Sequence, residues 1–249
     1  MLTLRHSYNG RFSNGPVWCE LLASNLSTPL CDYAVGGATT SNALVKGFTG
    51  NGSTIPVPSV DEQVSSFINS PPSGIDLSSA LFVVSGGAND VFFNPNLSAL
   101  TSASILSSSM TQLQTAGANN FLFFNYYDIG LIPFSTYTTP FNKAQNAAFS
   151  RDLGAALFTL AQSTAGAYYY DLATQLWPHF YFYGEPGDHG FDRYGAYGSC
   201  ATGVYKETGN LSICNDPEKR VFWDEYHPTA RAHEWFARSV LDVLGVKAS

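Results

Sequence analysis

The sequence predicts an α/β fold in which helices cover a parallel sheet. Three observations carry the prediction. Short apolar runs rich in β-branched and aromatic residues alternate with longer amphipathic stretches. Glycine-rich turns follow two of the short runs, at Gly36 and Gly37 and at Gly86 and Gly87. The chain has 249 residues, 45% of them hydrophobic, enough to bury one sizeable core, and no Pro/Gly/Ser linker divides it, so residues 1–249 read as a single domain.

Four runs have the composition of strands: residues 30–35, 80–85, 120–126 and 167–171. Helices are predicted between and around them. The first, residues 16–26, gathers Val17, Trp18, Leu21 and Leu22 on one face. The second, residues 59–68, opens with Ser59 and Glu62 at capping-box spacing, which satisfies two backbone N–H groups at the helix start. A third presents Ala99, Ala103, Leu106, Met110 and Leu113, and a fourth Phe149, Leu153, Ala156, Leu157 and Leu160. The last follows Pro228 and aligns His233, Phe236, Val240 and Leu244 in one stripe, where His233 reads as a hydrogen-bonded core histidine rather than a ligand.

Composition narrows the partners. Only 12% of residues are charged and the net charge is -7, so there is no basic face for phosphates, and nucleic acid is excluded in favour of an uncharged or sugar-like substrate. No apolar run approaches the ~20 residues of a membrane helix, and no signal-peptide pattern opens the chain. Asn-x-Ser sequons at Asn25, Asn51, Asn96 and Asn210 nevertheless point to an extracellular protein. So does the placing of Cys200 and Cys214 around a loop just ahead of residues 222–229, where a disulfide would contribute about 3 kcal/mol in the chain-entropy model. Cys19 and Cys31 form either a second bridge or two buried thiols.

Residues 222–229, Phe-Trp-Asp-Glu-Tyr-His-Pro-Thr, space a carboxylate and an imidazole three apart. Pro228 biases His227 away from helical geometry and suits a first helical position itself. On such a turn Asp224 can take the Nδ1 proton and leave Nε2 of His227 as general base. Alone, the pair reads more simply as a helix cap with a surface histidine. Two upstream turns alter the balance. In an open α/β sheet, ligands bind beyond the carboxyl ends of the strands, where Gly37 can offer a backbone N–H and Asn89 a carboxamide. Aimed at one point, such donors make an oxyanion hole, and losing one costs about 10² to 10³ in rate. No metal site is expected, because His6, His179, His189, His227 and His233 lack ligand spacing.

Four stretches in order, residues 8–18 (YNGRFSNGPVW), 32–42 (DYAVGGATTSN), 86–90 (GGAND) and 222–233 (FWDEYHPTARAH), resemble the SGNH or GDSL-type hydrolase superfamily. The similarity is closest to its fungal acetylesterase-like branch, carbohydrate esterase family sixteen. The resemblance implies a three-layer α/β/α sandwich around a central parallel sheet, SGNH hydrolase-like and flavodoxin-like. It also implies Ser-His-Asp hydrolysis of short acyl esters, such as acetyl groups on plant cell-wall oligosaccharides, by a monomer without cofactor. His227 becomes the base, Asp224 its orienting carboxylate, and Gly37 and Asn89 the oxyanion donors. The family's Gly-Asp-Ser block is absent from these residues. Ser7 and Ser13 are the nearest hydroxyls, but neither follows a strand, so no nucleophile is assigned within the chain. A truncated N-terminus lacking both the signal peptide and the first central strand is the corresponding expectation. Tyr126, Tyr127 and residues 179–197 suit stacking on sugar faces. The competing reading is a sugar-binding pseudoenzyme that kept the cleft and lost its nucleophile.

Overall fold

A computed structural model describes residues 7–50, 52–138, 142–180, 186–193, 197–204 and 210–246. In chain order its helices are α1 (Trp18–Asn25), α2 (Val60–Asn69), α3 (Ala88–Phe93), α4 (Ala99–Thr115), α5 (Lys143–Ser163), α6 (Leu172–Gln175) and α7 (Ala230–Val243). The strands are β1 (Phe48–Thr49), β2 (Ile55–Pro56), β3 (Leu81–Val83), β4 (Asn120–Phe124), β5 (Ala167–Tyr170), β6 (Ala201–Thr202) and β7 (Ser212–Ile213). They fall into two compact units, residues 1–32, 130–143 and 171–249 forming one and residues 33–129 and 144–170 the other.

The second unit carries the α/β architecture. Its sheet is parallel with the order β3-β4-β5, in register Leu81 to Asn120 and Phe121 to Ala167. The middle strand, Asn-Phe-Leu-Phe-Phe, is apolar on both faces, as a strand covered on both sides must be, and Phe121, Leu122, Phe123 and Phe124 are all buried. Val60, Val64 and Phe67 of α2, Leu106, Met110 and Leu113 of α4, and Phe149, Leu153 and Leu157 of α5 complete its core. These are helical spacings of three and four residues, and each large side chain so buried contributes about 1.5–3 kcal/mol. The capping box of α2 forms, with the Ser59 N–H donating to Glu62 at 2.9 Å, and that bond holds the Glu62 carboxyl below its usual pKa.

Three strand expectations stand in shortened form. The fourth does not: residues 28–35 have no regular secondary structure, and Leu30, Cys31 and Tyr33 are exposed. Apolar composition reports a tendency to extend, but a strand needs a ladder neighbour, and composition says nothing of pairing. Two-residue antiparallel ribbons, β1 with β2 and β6 with β7, replace longer pairings.

In the first unit α1 packs on α7, with Trp18 and Phe236 rings 4.6 Å apart. Cys200 and Cys214 are joined, their Cα atoms 4.9 Å apart, beside the β6–β7 ribbon. The Cys200 N–H donates to the Phe222 carbonyl at 3.0 Å and the Ala201 N–H to the Trp223 carbonyl at 2.6 Å, so the bridge braces the segment entering Asp224. Replacing both cysteines by Ser should lower unfolding free energy by about 3 kcal/mol, read as a lower midpoint in urea with an intact native fold. Cys19 and Cys31 are free, and only Cys19 is half-buried. Burial, then the charges of Asp32 and Glu20, pushes the Cys19 thiol up to about 11.

Residues 179–197 do not offer the open aromatic surface expected of them, insofar as they are described. Residues 181–185 and 194–196 lie outside the described residues. Phe180 and Phe191 are buried against each other, and Trp177 packs on Phe180 and Phe222. Burying these large apolar rings removes them from water, which outweighs leaving them on the surface. Tyr197 alone of the described rings there is exposed.

Candidate active site

The Asp-His turn is set by its backbone. Phe222 bridges Pro228, the Trp223 N–H donates to the His227 carbonyl at 2.8 Å, and the Thr229 N–H to the Val221 carbonyl at 2.9 Å. These bonds fold residues 222–228 back on themselves. Helix α7 then starts at Ala230, with Thr229 as its N-cap, its hydroxyl accepting from the Ala232 N–H. Pro228 therefore lies before the helix instead of opening it, because its bridge to Phe222 holds it extended.

Asp224 is fully buried. Its Oδ1 accepts the Tyr226 and His227 N–H groups at 2.8 Å each, an Asx-type turn, and both oxygens lie 2.9 Å from His227 Nδ1. With Nδ1–H committed to the carboxylate, the imidazole lone pair sits on Nε2. The His227 side chain is 37% exposed, so the ring is both anchored and reachable. Six residues on, His233 is partly buried, and burial followed by the charge of His227 pushes its pKa down to about 3, keeping it neutral.

Gly37 and Asn89 are brought together in the second unit. Gly37 has φ +87°, and a Cβ there would lie 2.0 Å from the Phe48 carbonyl oxygen, so only glycine fits. One Asn89 amide hydrogen donates to the Ala38 carbonyl at 2.9 Å, which ties its carboxamide to the residue after Gly37 and leaves the second hydrogen as a donor. Gly87, at φ +119°, turns the chain into α3, and a Cβ on it would meet Leu153 at 2.7 Å. Gly37→Ala should strain the turn and lower the melting temperature, checked by a thermal melt beside wild type.

Sequence reasoning missed Asp90. Completely buried, it accepts the Thr40 N–H at 2.7 Å, the Thr40 hydroxyl at 2.6 Å and the Ser102 hydroxyl at 2.5 Å, and so joins the loop after Gly37 to α3 and α4. It missed Asn14 too, whose Oδ1 accepts the Ala230 N–H at 2.8 Å and whose amide donates to Glu218 at 2.9 Å. Only its adjacency to Asn89 hinted at Asp90; Asn14 sits in a glycine-flanked polar run that reads equally as a loop.

Other expected residues are placed as follows. Ser13 is fully buried with no hydrogen-bond partner for its hydroxyl among the described residues, which bars it from a substrate carbonyl, and Ser7 is half-buried. Tyr126 and Tyr127 pack against the sheet's core, and the Tyr126 hydroxyl meets Ser85 Oγ at 2.7 Å. Burial pushes Tyr126 up to about 12, with the Asp90 charge adding to it. Of the sequons, Asn96 and Asn210 are exposed, Asn25 is half-buried with its amide on the Leu21 carbonyl, and Asn51 lies outside the described residues.

A parallel α/β sheet, a glycine turn tied to an Asn amide, and a buried carboxylate on a reachable histidine together define a hydrolase-type scaffold. The chain belongs to the family described as GDSL-like Lipase/Acylhydrolase, whose model matches residues 4–240. Among curated proteins it is 31% identical over 251 residues to the thermolabile hemolysin of Vibrio parahaemolyticus, covering 94% of this chain and 56% of that protein. It is 28% identical over 193 residues to a GDSL esterase/lipase of Arabidopsis thaliana, covering 66% of this chain and 51% of the relative. The chain thus spans about half the length of these curated relatives.

Proposed function

We propose that the protein is a carboxylic ester hydrolase with Asp224 and His227 as its acid–base pair. The observation that carries this is the buried Asp224 carboxylate 2.9 Å from Nδ1 of a reachable His227. In the first step a serine hydroxyl gives its proton to His227 Nε2 as its oxygen bonds to the ester carbonyl carbon. The resemblance assigns the negative charge that forms on the carbonyl oxygen two hydrogen-bond donors, the Gly37 N–H and the Asn89 amide. Collapse breaks the ester C–O bond, and the departing alcohol takes the proton from the imidazolium. Water, deprotonated by the same nitrogen, then releases the acid and restores the serine. The serine belongs to a Gly-Asp-Ser turn that these 249 residues do not contain.

The substrate proposed is a short acyl ester, an acetyl group on a plant cell-wall oligosaccharide, met outside the cell by a secreted, glycosylated monomer. Low charge suits a neutral sugar. The names of the relatives, an esterase/lipase and a hemolysin, favour a second reading in which the acyl chain is longer. Hydrolysis of p-nitrophenyl acetate, butyrate and decanoate by protein that carries the proposed Gly-Asp-Ser turn tests both. Fastest turnover on acetate, abolished by a serine-directed organophosphate, supports the acetylesterase; fastest turnover on decanoate supports the second. An inert protein that binds acetylated oligosaccharide would establish the pseudoenzyme instead.

A further inference from the structure

The geometry points to Phe12 as a positioning residue for the general base, a role that rests on the reading of His227 just given. The Phe12 ring stacks on the His227 imidazole with centroids 4.7 Å apart and planes inclined by 27°. Asp224 fixes one nitrogen of the imidazole, but a ring held at a single edge can still swing about that hydrogen bond. Stacking over its face removes the remaining freedom. The Tyr226 ring stands 6.1 Å from the imidazole and tilted to it by 50°, itself stacked at 4.5 Å on Phe134, whose N–H donates to the Glu225 carbonyl at 2.9 Å. Of these rings, Phe12 is the one stacked on the imidazole face.

Phe12 is a useful support because its own segment is fixed. The Tyr8 N–H donates to the Ser13 carbonyl at 2.9 Å and closes residues 8–13, and the Arg11 guanidinium pairs with Glu20 of α1. That carboxylate also accepts the Val17 N–H at 3.0 Å, fastening the segment to the start of the helix. Two residues past Phe12, Asn14 holds the first N–H of α7. Gly15 presses close enough on Ala230 that a Cβ there would lie 2.7 Å from the alanine Cβ. One short run, Arg11 to Gly15, thus touches both the catalytic ring and the helix that follows it. Small displacements matter for such a ring, since misplacement by about 1 Å can cost about 10²-fold in rate.

The experiment compares Phe12→Leu and Phe12→Tyr with wild type and His227→Ala, all in protein that carries the proposed Gly-Asp-Ser turn, each first shown folded by its melt. Two readouts are taken: kcat and KM on p-nitrophenyl acetate, and the imidazole Nδ1–H resonance in histidine-labelled protein. Phe12→Leu should lower kcat about tenfold with KM within about twofold and broaden the His227 Nδ1–H signal, while Phe12→Tyr, which keeps the ring face, restores both. Unchanged kcat and an unchanged signal in Phe12→Leu would overturn the proposal. So would a loss of kcat that tracks the melt and is not rescued by tyrosine, because that is a structural role alone. If wild type hydrolyses no ester, the functional reading fails, and the Nδ1–H signal still decides whether Phe12 holds the ring.

Discussion

His227→Ala should lower kcat by about 10³ to 10⁴ and leave the melting temperature nearly unchanged. In the proposed mechanism the activity loss follows from the removal of the nitrogen that accepts and returns the proton. The fold is spared because the imidazole is 37% exposed and its turn is closed mainly by backbone bonds, from Trp223 to His227 and from Thr229 to Val221. The kinetic pattern discriminates further: a base acts in the transition state, so kcat and kcat/KM should fall together. A rise in KM at constant kcat would instead make His227 a substrate-binding residue. Steady-state kinetics on p-nitrophenyl acetate, with circular dichroism on the same samples, checks both parts.

The second large effect is on stability. Asp90→Ala removes a buried carboxylate and leaves the Thr40 N–H, the Thr40 hydroxyl and the Ser102 hydroxyl without an acceptor, all in residues at most 1% exposed. Breaking such a buried charged network costs about 3–5 kcal/mol, out of the about 5–15 kcal/mol that holds a domain together. The melting temperature should drop by about 10 °C, since a protein of this size shifts about 2–4 °C per kcal/mol. Asp90→Asn retains one acceptor oxygen and should lose less. A melt of Asp90→Ala within about 2 °C of wild type would show that the network is dispensable.

Local signals were legible where they are periodic or dense. The stripe of α4 and the apolar run of β4 are buried, and the stripes of α5 and α7 bury Phe149, Leu153, Leu157, Phe236 and Val240 but leave Ala156, Leu160, His233 and Leu244 half-buried. So was the Asp224–His227 spacing, because three residues on one tight turn are enough to bring a carboxylate to an imidazole. Long-range partners were not. Asp90 meets Thr40 across 50 residues, and Phe12 reaches His227 from near the opposite end of the chain, so neither contact has a periodic trace. The segment at residues 30–35 failed for the same reason: its composition is that of a strand, and its pairing is not written in it. The β1–β2 and β6–β7 ribbons have two residues per strand, too short for alternation to register.

The central claim is that Asp224 and His227 activate a serine for attack on an ester. Labelling with a fluorophosphonate, followed by mass mapping of the modified residue, tests it most directly in protein that carries the proposed Gly-Asp-Ser turn, as wild type and as His227→Ala. The expected result is one phosphonylated serine in a Gly-Asp-Ser turn, with the labelling rate lower by about 10³ or more in His227→Ala. Labelling that proceeds equally fast without the imidazole, or ester hydrolysis that continues with no serine modified, would contradict it.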